Sequence, residues 1–204
     1  MNQPNGLYLI LTNPVAGYEA TAQAAVDCHV SMLQLRMKNK TNDQHEVAQT
    51  LRAITRGTQT QFIINDNLPL AQHVEADGLH LGQDDLSLPR ARQQYDGIIG
   101  ISTHTLEQAQ KAHQAGADYI GIGPLFPTQS KANPDPVIGI PTAANIARSV
   151  TCPTVVIGGI QPKHFPELRR HQLPAFALIS AVNHSPNPRQ AIQHLQHAWQ
   201  EAQI

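Results

Sequence analysis

The 204-residue chain reads as a single (β/α)8 barrel, one domain over residues 1–204. Three observations predict it. Eight short apolar runs alternate with eight segments of helical character, nearly every run closes on polar or charged residues, and no Ser/Gly/Pro-rich or highly charged tract divides the chain. Strict alternation implies a parallel sheet with right-handed crossovers, either open and doubly wound or closed. Eight units favour closure, and the length suits a barrel with short helices and no inserted domain. In a closed barrel the polar strand ends share one rim, whereas an open sheet would strand some of them beyond its switch point.

The elements follow in order. Residues 7–11 (Leu-Tyr-Leu-Ile-Leu) form an apolar strand closing at Thr12-Asn-Pro, and residues 18–28 bring alanines and periodic apolar positions for a helix. Residues 32–35 are the second strand, ending in Arg36-Met-Lys38. Val47, Leu51 and Ile54 then mark the buried stripe of a polar helix over 42–56. Phe62-Ile-Ile is too short for a helix and stops at Asn65-Asp66. A brief helix over 68–74 and the turn Asp77-Gly78 lead into a fourth strand, 79–81, ending at Gly82-Gln-Asp-Asp85. Ser87 is an N-cap candidate for a helix through Tyr95, and residues 97–101 make the fifth strand, followed by Ser102 and a helix over 106–114. The sixth strand, 118–122, opens into the longest loop, 123–138, and long loops in compact domains tend to carry function. Helix 142–150, strand 154–157, Gly158-Gly159, helix 163–170, strand 175–179, Ser180 and helix 188–202 complete the series.

Charge and cysteines narrow the class. A net charge of −1 leaves no general basic footprint, so no nucleic-acid partner is expected and any anion site must be local. Cys28 and Cys152 stand alone, with neither a Cys-x-x-Cys pair nor a disulfide framework. The opening Met-Asn-Gln-Pro-Asn lacks a basic-then-apolar leader, and no apolar run approaches the length that spans a bilayer. The expectation is a cytoplasmic, soluble protein with small-molecule partners and no membrane partner, with a homo-oligomer left open.

The rim supplies the chemistry. Asp66 and Asp85 end neighbouring parallel strands, and two carboxylates so placed suit one Mg²⁺, which takes one or two carboxylates plus phosphate oxygens and water. Arg36, Lys38 and Lys131 are cations on otherwise neutral strand ends facing that pair; singly each is an ordinary solvated charge, together they suit a diphosphate. Gly158-Gly159 and Ser180 follow strands seven and eight, where barrels often hold phosphate through backbone N–H groups and a helix N-terminus, although paired glycines also simply turn a chain. Asp84-Asp85 has a plainer reading too, at the start of the next helix. The eleven histidines form no His-Glu-x-x-His or Cys/His cluster, so zinc is not expected. His80, inside strand four, reads as a satisfied core residue. His104, near the rim, is a weaker substrate candidate than a structural one.

These residues sit in blocks: Gln34-Leu-Arg-Met-Lys38, Phe62-Ile-Ile-Asn-Asp66, His80-Leu-Gly-Gln-Asp-Asp85, Gly100-Ile-Ser-Thr-His104, Gly121 to Lys131, Val156-Ile-Gly-Gly-Ile160 and Ile179-Ser-Ala181. In that order, nearly end to end, the chain resembles the family of thiamine phosphate synthases and the thiazole tautomerases related to them. The resemblance implies a Mg²⁺-dependent transferase of thiamine biosynthesis. In it a hydroxymethylpyrimidine diphosphate loses pyrophosphate, and the nitrogen of a hydroxyethylthiazole phosphate, or of its carboxylated form, captures the pyrimidine cation. It further implies Asp66 and Asp85 as metal ligands. Gln34, Leu35, Arg36, Met37, Lys38, Asn65, Ser102 and Lys131 would bind the pyrimidine diphosphate, with Arg36, Lys38, Ser102 and Lys131 acting in catalysis. Thr128, Gln129, Ser130, Gly159, Ile179 and Ser180 would hold the thiazole phosphate. Leu11-Thr-Asn13, Leu173-Pro-Ala-Phe and residues 132–141 depart from the family pattern, and only the last touches the rim. The alternatives are a thiazole tautomerase, which needs no diphosphate site, and a non-catalytic thiazole or thiamine phosphate-binding barrel.

Overall fold

In a computed structural model, described over residues 4–37, 43–128 and 135–202, the eight strands close into one parallel barrel in sequence order. The strands are β1 (Gly6–Leu11), β2 (Met32–Leu35), β3 (Gln61–Asn65), β4 (Gly78–Leu81), β5 (Ile98–Thr103), β6 (Tyr119–Ile122), β7 (Thr154–Ile157) and β8 (Ala175–Leu178). The helices are α1 (Tyr18–Asp27), α2 (Gln44–Thr55), α3 (Leu68–His73), α4 (Leu88–Arg92), α5 (Leu106–Gln114), α6 (Gly139–Arg148), α7 (Phe165–Arg170), α8 (Ser180–Asn183) and α9 (Pro188–Glu201). Among the described residues no helix is long and apolar enough to cross a membrane.

Alternation along each strand builds two cores. Leu9, Leu33, Phe62, Ile64, Leu79 and Phe176 point outward into the helix layer, while Tyr8, Ile10, Met32, Ile63 and Tyr119 point into the barrel. On the outer layer Phe165, Phe176 and Trp199 pack with ring centroids 4.5–5.2 Å apart, each pair adding roughly 0.5–1.5 kcal/mol beyond its burial. Asp77 and Asp118 lie at the N-terminal ends of β4 and β6. Asp77 accepts from the Phe62 N–H at 2.8 Å and pairs with Arg52 at 2.9 Å; Asp118 accepts from the Ile99 N–H at 2.7 Å and pairs with Arg92. Acidic residues on that face hold strands together, which leaves chemistry to the opposite rim.

Several boundaries differ from the sequence expectation. Helix α4 stops at Arg92 rather than Tyr95, since Tyr95 turns inward and donates to the Ala76 carbonyl at 2.6 Å. Helix α6 begins at Gly139 rather than residue 142, with Pro141 in its first turn, where a missing N–H costs nothing. Strand β8 ends at Leu178, and the unexpected short helix α8 takes over at Ser180.

Inside the barrel two strand glycines make room for large side chains. A Cβ at Gly100 would stand within the Tyr119 ring, and one at Gly121 would approach the His80 ring to 3.4 Å. A glycine facing inward therefore permits each bulky polar neighbour.

Candidate functional site

Strand register brings the functional residues to one rim. Asn65 pairs with His80, His80 with Gly100, and Ser102 with Gly121, so β3 to β6 deliver their last inward residues at neighbouring positions. Just past β3, Asp66 adopts the left-handed conformation at φ 62°, with its N–H donated to the His80 carbonyl at 2.9 Å. Asp85 is fixed from the other side, its Oδ2 accepting from the Gly82 N–H at 2.6 Å. The Asp85 carboxyl is close enough to act on that of Asp66. Withdrawal from water, then the hydrogen bond and charge of Asp85, push the Asp66 carboxyl up to about 7, partly opposed by Arg36 and by a hydrogen bond from Asn65.

Arg36 and Asp66 line a cavity of about 500 Å³ together with Met37, Gln44, Asn65, Asn67 and Pro69. The Nη1 atom of Arg36 is buried and has no hydrogen-bond partner among the described residues. A buried guanidinium nitrogen left unpaired is costly, and an anionic ligand in the cavity relieves that cost. Among the described residues no group of three or more His, Cys, Asp or Glu side chains gathers to hold a metal. Two carboxylates beside a cavity with an unpaired cation form a donor set that would fit a hard cation such as Mg²⁺.

A file of polar side chains runs from the barrel interior to this rim. Gln34 Nε2 donates to the Tyr8 hydroxyl at 2.7 Å, Tyr8 and Tyr119 hydroxyls are 2.9 Å apart, and Tyr119 lies 2.8 Å from His80 Nδ1. His80 Nε2 lies 2.8 Å from Ser102 Oγ. Burial pushes His80 down to about 4 and both tyrosines well above their usual range, so the file is uncharged near neutral pH. His80 is thus the satisfied interior residue its sequence position suggests.

The opposite side of the rim is built by backbone. Gly158 at φ 101° and Gly159 at φ 62° follow β7, and the loop after β6 packs directly on them, with the Leu125 N–H bonded to the Ile157 carbonyl at 2.9 Å and the Phe126 N–H to the Gly158 carbonyl at 3.0 Å. A Cβ on Gly159 would come within 2.8 Å of the Phe126 Cβ. Glycine is required by both conformation and space, which favours close backbone approach over a mere turn. The Phe126 ring stacks on His164 with centroids 3.8 Å apart.

Not every expected residue converges. Lys38, Gln129, Ser130 and Lys131 lie outside the described residues, so Arg36 is the only one of the three expected cations that is described beside the carboxylates. Leu35 is 2 % exposed within the outer core, so its side chain does not reach the rim. Ser180 opens a four-residue helix, too short for the developed dipole that a phosphate-binding helix terminus needs. His104 holds loop ends, with Nδ1 2.6 Å from the Gly123 carbonyl and Nε2 3.3 Å from Asp135. Asn65 closes β3 and Ser102 lies one residue before the end of β5, while Met37, Thr128, Gly159 and Ile179 follow strand ends on the rim.

Tyr8, Tyr119 and Asn183 were not expected. Asn183, fully buried, accepts from the Thr12 N–H at 2.8 Å and donates to the Ile10 and Ile179 carbonyls at 2.8 and 2.6 Å. Inward-phase tyrosines beside strand glycines were the available signal for the first two. No local signal marks Asn183, whose partners on β1 are far away in sequence.

Comparison with known proteins gives a consistent set of relatives. The family profile described as thiamine monophosphate synthase matches residues 7–182. A thiamine-phosphate synthase of Archaeoglobus fulgidus is 36% identical over 179 residues, 87% of this chain and 85% of the relative. That of Herpetosiphon aurantiacus is 37% identical over 189 residues, 91% and 92% of the two chains. Among solved structures, a thiamine phosphate pyrophosphorylase from Pyrococcus furiosus superposes with a TM-score of 0.84 at 32% identity, covering 97% of this chain and 96% of that one. A 3-hexulose-6-phosphate synthase, at 15% identity and a TM-score of 0.66, shares the fold.

Proposed function

The chain belongs to the thiamine monophosphate synthase family, and from that premise we propose that it joins a hydroxymethylpyrimidine diphosphate to a hydroxyethylthiazole phosphate, releasing pyrophosphate. The observation that carries the reading is that Arg36, whose buried Nη1 has no partner among the described residues, lines one cavity with Asp66. That arrangement suits a diphosphate.

The reaction is a substitution at the pyrimidine methylene carbon. Its C–O bond breaks with the electron pair leaving on pyrophosphate, and the thiazole nitrogen lone pair forms the new C–N bond. Mg²⁺ held by Asp66 and Asp85 supplies neutralisation of the departing charge when bound. Arg36 donates to the same oxygens through a fixed guanidinium, with Lys38 and Lys131 as further cations in the proposal. Ser102 presents its hydroxyl at the end of β5, while Gln34, Met37 and Asn65 line the pyrimidine side. Thr128, Gln129, Ser130, Gly159, Ile179 and Ser180 are proposed for the thiazole phosphate, Gly159 through its backbone. No general base is needed, since the aminopyrimidine itself supports the developing cation and the barrier is mainly electrostatic. A tautomerase acting on the thiazole alone would leave the Arg36 cavity and the paired carboxylates without a role.

The test is thiamine phosphate formation from the two purified substrates with and without Mg²⁺, followed by mass spectrometry. Metal-dependent product is expected. Absence of product with both substrates and Mg²⁺ present overturns the reading.

A further inference from the structure

The polar file inside the barrel has a direction. Gln34 Nε2 can only donate, so the Tyr8 hydroxyl accepts from it, and the one acceptor for the Tyr8 proton among the described residues is the Tyr119 oxygen. Tyr119 already accepts from Tyr8, and its own proton then has His80 Nδ1 as its acceptor at 2.8 Å. An imidazole that accepts at Nδ1 carries its proton at Nε2, where Ser102 Oγ lies 2.8 Å away. The Ser102 oxygen is thereby an acceptor toward the interior, and its own proton has no acceptor among the described residues. The Ser102 carbonyl is likewise taken, accepting from Gln83 Nε2 at 2.6 Å.

We propose that Tyr8, Tyr119 and His80 are positioning residues whose one-way hydrogen-bond order makes Ser102 a dedicated proton donor to the anionic ligand at the rim. His80 is the register partner of Asn65, which lines the cavity with Arg36 and Asp66, so the file ends beside it. A serine with a free rotor would spend part of its time donating inward. Here the inward direction is blocked by the Nε2–H of His80, and the hydroxyl is preset toward the ligand before binding. The opposite order would leave the Tyr8 proton buried without an acceptor in a residue only 2 % exposed, a cost the observed spacing avoids. This inference deepens the synthase reading, on which the identity of the ligand rests, but the order of the file belongs to the free protein.

The test is long-range proton–nitrogen NMR on the full chain labelled with ¹⁵N-histidine, the His80 signal being identified by its loss in His80→Gln. The expected result is a neutral imidazole near pH 7 in a single tautomer protonated at Nε2. In Tyr119→Phe the two tautomers mix, and kcat falls about tenfold while KM for the pyrimidine diphosphate stays within about twofold, because a preset donor acts mainly on the transition state. A wild-type His80 protonated at Nδ1, or protonated at both nitrogens, overturns the proposal. So does a Tyr119→Phe protein with unchanged tautomer and kcat. The spectroscopic arm needs no turnover. A chain that shows the Nε2–H tautomer but makes no thiamine phosphate keeps the relay and loses the functional reading, and active enzyme with the Nδ1–H tautomer does the reverse.

Discussion

The carboxyl of Asp66, just past β3, is raised to about 7 by withdrawal from water and by the carboxyl of Asp85, just past the adjacent β4. Since the folded carboxyl holds its proton more tightly than the unfolded one, whose ordinary value is 3.8, this group favours the folded state at low pH. Its contribution is lost as pH rises from about 4 toward 7. The magnitude stays below about 1 kcal/mol, because Asp66 is only partly withdrawn from water and the pair remains screened by solvent. Thermal unfolding of metal-free protein at pH 5 and pH 8 measures it, and Asp66→Asn should flatten that part of the profile. An unchanged profile in the variant would remove Asp66 as its source. Mg²⁺ should bind with proton release below about pH 7 and without it above, which calorimetry in buffers of different ionisation enthalpy can detect.

Arg36→Gln should lower kcat/KM for the pyrimidine diphosphate by about 10²- to 10³-fold, reflecting the loss of a charge-assisted contact to a leaving group. Stability should fall little or even rise, because the unpaired Nη1 is a burden in the free protein. Steady-state kinetics and a melting curve together separate this outcome from a purely structural arginine, whose removal would lower both.

Gly159→Ala introduces a side chain at φ 62° and within 2.5 Å of the Pro127 carbonyl oxygen. Displacement of the Phe126–Pro127 segment should raise KM for the thiazole phosphate while leaving KM for the pyrimidine diphosphate near its wild-type value. Equal effects on both would argue against separate sides of the rim.

Asn183→Leu keeps the branched shape but strips three hydrogen bonds from a fully buried position. A loss of about 2–4 kcal/mol is expected from the stranded backbone groups, read as a lower urea midpoint with an unchanged slope.

The barrel was legible because period-two apolar runs and helical stripes alternate eight times, and the Asp66 and Asp85 rim positions follow from where Phe62-Ile-Ile and Leu79-His-Leu end. How closely the two carboxyls approach was not legible, since it depends on the left-handed backbone of Asp66 and on the Gly82–Asp85 turn. Leu35 shows a second limit: a family motif carries a residue by position, whereas strand parity turns its side chain to the outer layer. The polar file was missed for a related reason. Tyr8, Gln34, His80 and Tyr119 come from four strands, and only barrel closure makes them neighbours. Helix α8 is too short to show a period at all.

Pairing of β1 with β8, and the reach of Asn183 back to Ile10 and Thr12, also bear on the order in which the protein is made. During synthesis the first strand emerges long before its second neighbour and waits as an unprotected edge until almost the whole chain has left the ribosome. Edges of that kind recruit foreign strands. The nascent chain is therefore most vulnerable to aggregation just before β8 appears, and truncations that end ahead of residue 183 should fail in the cell far more often than cuts in the exposed helices of the same length.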